Sequence, residues 1–146
     1  GAIMEMFRQS EAPLVMEELD LSDNMLGING AMSVGHALRS NQSLQVFNIS
    51  SNSIGPTGFQ HFQEFLRSNR KLEELFLCDN DLDSSVVVLL AELLEDQKRI
   101  RLLDLRSNSI GFEGLRGMGD FFLKKSLMEI NLSENKIGSK GAAKLG

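Results

Sequence analysis

Cross-linking by disulfides is excluded first, because the 146 residues hold a single cysteine, Cys78. A cytoplasmic, reducing compartment is therefore the expectation. Proline is almost as scarce, with two residues, while hydrophobic residues make up 42% and charged residues 24%. That balance excludes a disordered or low-complexity chain and leaves one domain with a real core. No apolar run approaches the roughly 20 residues that span a bilayer, so membrane insertion is not expected. Positive charge is the minority sign, 15 Lys and Arg against 20 Asp and Glu, which disfavours a nucleic-acid partner.

Chemistry-bearing groupings are also missing. The two histidines, His36 and His61, occupy unrelated positions in their repeats, and Cys78 stands alone. Neither a metal cluster nor a Cys/His nucleophile pair assembles from that spacing. No glycine-rich loop with a following lysine occurs after a strand pattern. Asp79, Asp81 and Asp83 fall where turns and helix N-termini favour acids for capping and for the dipole. The expectation is a non-enzymatic chain with no metal, no cofactor and no catalytic residues.

What is present is one phrase, five times over. Its cleanest copy runs from Leu72 to Leu82 as L-x-x-L-x-L-x-x-N-x-L, and its asparagines are Asn24, Asn52, Asn80, Asn108 and Asn135. Successive intervals are 28, 28, 28 and 27 residues. Eight, five and three residues before each asparagine stand apolar residues: Met16, Leu19, Leu21, then Leu44, Phe47, Ile49, then Leu72, Leu75, Leu77. The last two copies give Ile100, Leu103, Leu105 and Leu127, Ile130, Leu132. The alternation just before the asparagine predicts a strand buried on one face. After it, apolar residues at offsets 7, 10, 13 and 14 (Phe59, Phe62, Phe65 and Leu66 in the second copy) mark one face of a helix of roughly ten to thirteen residues.

A self-similar period of this length is a solenoid, in which each unit buries its apolar face only against its neighbours. Strands repeated in one orientation form a parallel sheet. The bulkier helices bend the stack, so the strands line its concave side. Where strand turns to helix, backbone groups lose their ladder partners. A buried asparagine amide supplies both donor and acceptor there and can bridge to the next repeat. Repeats are expected to start near 16, 44, 72, 100 and 127 within a domain spanning 16–146. Residues 1–15 read as the tail of a preceding partial repeat, interrupted at Pro13, or as an irregular N-terminal segment. The last repeat stops at Gly146, within its helix pattern, and neither end shows a polar cap. A larger repeat protein, or end-to-end packing on another chain, is the expectation.

Segments such as Leu19-Asp-Leu-Ser-Asp-Asn and Leu127-Met-Glu-Ile-Asn-Leu-Ser-Glu-Asn-Lys-Ile-Gly resemble the leucine-rich repeat family, in its ribonuclease-inhibitor-like subtype. The resemblance covers residues 16–146. It implies an α/β fold, a right-handed curved solenoid of about five repeats, with a parallel β-sheet on the concave face and α-helices on the convex face. Ribonuclease inhibitor and NOD-like receptors tend to alternate 28- and 29-residue repeats and often carry cysteine in the asparagine column. The uniform spacing and all-Asn column here look more like the Ran GTPase-activating, actin-regulatory and ciliary members.

Outward strand positions are the informative ones. They are Glu18, Asp20 and Ser22; Val46, Asn48 and Ser50; Glu74, Phe76 and Cys78; Leu102, Asp104 and Arg106; Glu129, Asn131 and Ser133. Val46, Phe76 and Leu102 lie close enough on adjacent strands to form one apolar patch with a polar rim, the pattern of a protein-binding hot spot. The alternative is simple cross-strand packing. A protein partner on the concave face is the first expectation, with Phe76 as anchor. Regulation of a small GTPase and a structural place in a cytoskeletal or axonemal assembly stand beside it. Basic residues (Arg39; Arg67, Arg70, Lys71; Lys98, Arg99, Arg101; Lys124, Lys125) should line one edge and acids (Asp23, Asp79, Asp81, Asp83, Glu134) the other. Complementing each helix dipole explains both rows, and a ridge for an acidic partner is the sharper alternative.

Overall fold

The computed structural model describes residues 15–119, 121 and 127–138. Of the N-terminal segment 1–15, all but the last residue lies outside the described residues, as do Lys124 and Lys125. Five three-residue strands, β1 (Glu18–Asp20), β2 (Val46–Asn48), β3 (Glu74–Phe76), β4 (Leu102–Asp104) and β5 (Glu129–Asn131), form one parallel sheet in sequence order. The register is unshifted, with Glu18 opposite Val46, Val46 opposite Glu74, Glu74 opposite Leu102 and Leu102 opposite Glu129. The sequence repeat is thus also the spatial repeat. This is an α/β leucine-rich repeat solenoid.

Between the strands run α1 (Gly27–Leu38), α2 (Gly55–Phe59), a 3₁₀ turn (Gln60–Phe62), α3 (Gln63–Ser68), α4 (Ser84–Leu93) and α5 (Phe112–Gly117). The leucine positions and the helix offsets close a single core, and its central repeats are sealed: Phe47, Ile49, Leu72, Leu75, Leu103 and Leu105 are buried. At the ends, Met16, Leu127 and Ile130 only lean on it half-buried.

The second repeat departs from the expected unbroken helix. It is two short α-helical pieces joined by a 3₁₀ turn. Phe59, Phe62 and Phe65 follow one another at three-residue spacing, and all are buried. An α-helix would rotate that spacing off its inner face, whereas three residues per turn keeps it aligned. The rings form an edge-packed cluster with Phe47, whose centroid lies 5.6 Å from both Phe62 and Phe65.

The asparagine column works as a ladder of amides, running backwards rather than forwards. Asn52 Oδ1 accepts from Asn24 N at 3.0 Å and from Leu26 N at 3.2 Å, while its Nδ2 donates to Leu21 O at 2.8 Å. Asn80 and Asn108 repeat the arrangement on the copies before them, accepting from Asn52 N and Asn80 N at 3.0 Å. Each side chain therefore bridges to the preceding repeat. The expected bridge to the next one is reversed, because the chain arriving at each asparagine points its carbonyls at the neighbour already laid down. The residues flanking the asparagine take left-handed backbone conformations, as at Asp23 (φ 57°), Ser51 (φ 56°) and Asp79 (φ 53°). That geometry favours short polar side chains and accounts for the acids there.

A second buried amide column, unanticipated from the sequence, closes the other edge. Asn41, Asn69 and Gln97 follow at the same 28-residue interval and are all buried. Asn41 Oδ1 accepts from Leu44 N at 2.8 Å and Asn69 Oδ1 from Leu72 N at 2.9 Å, tying each helix end to the next strand. Gln97 Nε2 reaches back to Leu66 O at 2.9 Å.

Candidate functional site

Strand alternation puts the first and third residue of every strand on the sheet face opposite the helices. The third position has a structural task. Asp20 Oδ1 accepts from Ser22 N at 2.9 Å, Asn48 Oδ1 from Ser50 N at 2.9 Å, Asp104 Oδ1 from Arg106 N at 3.1 Å and Asn131 Oδ1 from Ser133 N at 3.1 Å. Each closes a turn that satisfies the amide where the strand ends. All four are outward positions expected to meet a partner, and one side-chain oxygen of each is committed to the backbone.

Phe76 occupies the same position and can close no such turn. The amide it leaves, Cys78 N, is taken by the Ser50 hydroxyl of the preceding repeat at 3.2 Å. The ring is half-buried rather than fully exposed, as are Val46 and Leu102. Phe76 and Val46 line one open depression of about 450 Å³ together with Glu18, Asp20, Gln45, Asn48, Glu73, Glu74 and Arg101. Leu102, opposite Glu74 on the adjoining strand, is not among its lining residues.

Electrostatics divide the face. Arg101 was expected on the basic edge, but its guanidinium lies against the Glu74 carboxylate on the sheet side. Asp104 is buried, and Arg106 grips it through Nε and Nη2 at 3.1 and 2.9 Å. That pair is internally neutralised. Glu18, Asp20 and Glu129 are exposed, whereas Asn131 is half-buried. The Ser22 hydroxyl and amide hold the Asp20 carboxyl below its usual value. Burial, reinforced by Asp104, pushes the half-buried Cys78 thiol up, leaving it a poor nucleophile at neutral pH.

A second depression, of about 460 Å³, opens on the helical side between α1 and the second-repeat helices. Its lining includes Met32, His36, Arg39, His61 and Arg67. The two histidines, unrelated by repeat position, thus share one groove. Close helix approach makes this possible, since a Cβ on Gly35 would sit 2.2 Å from His61 O. Among the described residues no group of three or more His, Cys, Asp or Glu side chains is placed to hold a metal ion. No helix among them is long and apolar enough to cross a membrane. Among the described residues, the large apolar side chains that are exposed lie away from the outward strand positions, at Val15, Met25, Ile28, Met32, Val88 and Met128. Sequence periodicity marked none of these as candidates, because Ile28, Met32 and Val88 fall off the inner helix stripe.

A family model described as Leucine Rich repeat matches residues 40–60 and 124–146. The chain is similar to a solved structure titled leiomodin-1 actin-binding site 2, with a TM-score of 0.77 and 12% identity over 97% of this chain and 82% of that one. It is also similar to the tropomodulin C-terminal domain of Caenorhabditis elegans, with a TM-score of 0.76 and 14% identity over 99% of this chain and 87% of that one. No curated protein matches the sequence. At these identities the solved structures speak to the fold, and the repeat phrase speaks to the family. With the family model on two of its repeats and the asparagine ladder running through its described length, the chain carries the leucine-rich repeat fold and is similar to that family.

Proposed function

We propose that this chain is a non-enzymatic protein-interaction module, working in the cytoplasm and binding a partner protein through the concave sheet face. One observation carries the reading. In four of the five strands the third residue is an Asp or Asn that closes the strand-end turn, and in β3 it is Phe76. A position that gives up a local backbone bond for an aromatic ring is a candidate for selection by a partner rather than by the fold. The site comprises Phe76 and Val46, with Glu18, Asp20, Asn48 and Glu74 around them.

Photo-crosslinking side chains placed one at a time at Gln45 and Arg39 test it in the full chain. Adducts from position 45 that vanish in Phe76→Asn, with none from position 39, are the expected outcome. Adducts from position 39 alone would place the contact on the helices and overturn the reading. Phe76→Asn is chosen because it restores the turn-closing side chain, so folding should hold to within about 1 kcal/mol.

A second reading takes the partner to be actin, because the leiomodin-1 structure that overlays 97% of this chain is titled an actin-binding site. Co-sedimentation with actin filaments decides it. A chain that stays in the supernatant at saturating filament concentrations removes actin as the partner.

A further inference from the structure

We infer that the concave depression receives a segment that is basic and apolar at once, a leucine-type side chain flanked by lysine or arginine. This rests on the concave-face reading above and specifies its partner. The depression is lined by four carboxylates, Glu18, Asp20, Glu73 and Glu74, against one guanidinium, Arg101. Arg101 is already spent on Glu74, leaving Glu18, Asp20 and Glu73 without a cation in the lining. The excess is interrupted at β4, where the only carboxylate, Asp104, is neutralised by Arg106, and β5 adds the single carboxylate Glu129. Negative charge is thus concentrated at the β1–β3 end, around the one aromatic ring of the face.

The combination is selective in both directions. An acidic partner is repelled at close range, where unit charges separated by less than a Debye length of about 8 Å still interact. A purely cationic one leaves Phe76 and Val46 uncovered. A lysine or arginine passing over the Phe76 ring gains the attraction of a cation to an aromatic face, and a neighbouring aliphatic side chain covers Val46. Half-burial of Phe76 and Val46 suits a shallow, extended segment laid across the strands rather than an inserted helix.

Fluorescence anisotropy with labelled octapeptides tests this. The probe carries two leucines between two lysine pairs; one control replaces leucine by serine, another replaces lysine by glutamate. The expected result is saturable binding of the first probe only, weakened about tenfold by Phe76→Asn and several-fold by Glu18→Gln with Glu73→Gln. Equal binding of the serine peptide would reduce the site to bulk charge attraction and overturn the inference, as would no binding of the leucine–lysine probe. Equal binding of the glutamate peptide, still lost in Phe76→Asn, would overturn the charge assignment while leaving the concave site standing. Binding of any probe that Phe76→Asn leaves untouched would remove both the inference and the concave reading beneath it.

Discussion

Single side chains on the sheet face divide into those that finish the backbone and those free to meet a partner. Asp20 belongs to the first group: its carboxylate accepts from the Ser22 amide at 2.9 Å and the Ser22 hydroxyl at 2.6 Å. These bonds favour the charged form, the hydroxyl most, so the folded pKa lies below the ordinary 3.8. A depressed folded pKa means stability that is present above the unfolded value and lost as pH falls through the folded one. The acid loss attributable to Asp20 therefore falls below pH 3.8. A side-chain NMR titration should give a midpoint under 3.8, and Ser22→Ala should raise it. A wild-type midpoint at or above that value would contradict the turn-closing role. Phe76, in the equivalent place, has no such bond to lose. The contrast with its four sister positions was open to reading in the sequence as four Asx residues and one ring. Its meaning was not, because which backbone amide each side chain serves is a matter of geometry.

Helices show where a periodic pattern stops being sufficient. Inner-face residues at offsets 7, 10, 13 and 14 were legible, and in the described repeats they are the core. The break at Gln60–Phe62 was not, because it follows from packing Phe59, Phe62 and Phe65 as three consecutive bulky rings. Periodicity records which face is apolar and not how large its side chains are. Close approach between neighbouring helices was equally invisible. Gly35 permits it, and a methyl there would meet the His61 carbonyl carbon at 2.7 Å, a contact with backbone that cannot swing aside. Gly35→Ala should therefore destabilise by about 2 kcal/mol, despite alanine's better helix propensity. It should also alter the groove that His36 and His61 share. A urea midpoint equal to or above wild type would show that the two helices separate freely. The second amide column was missed for another reason. Asn41 and Asn69 read as loop residues, Gln97 differs in type, and burial alone reveals the three as one device.

At the scale of the whole solenoid, the same residue type has different energetic weight according to how many neighbours it serves. Asn80 is buried, accepts from Asn52 N at 3.0 Å and donates to Ile49 O at 2.9 Å, so it joins two repeats. Asn24 is exposed, and its side chain donates only within its own turn, to Leu21 O at 2.8 Å and Ser22 O at 2.9 Å. Truncating Asn80 takes the acceptor from the buried Asn52 amide and one of two donors from the Ile49 carbonyl, which Asn52 Nδ2 still serves at 3.0 Å. Asn80→Ala should cost about 3 kcal/mol and Asn24→Ala less than about 1 kcal/mol, measured by urea unfolding at matched m-value. Native-state hydrogen exchange gives the complementary view. The Asn52 and Asn80 amides, each held by the next copy's side chain, should exchange more slowly than the exposed amides of α1. Equal destabilisation by the two alanine substitutions would mean that the column acts turn by turn. Unequal destabilisation in the expected order means that each asparagine chiefly secures the repeat before it, so that the stack's cohesion is carried by the residue the sequence repeats without exception.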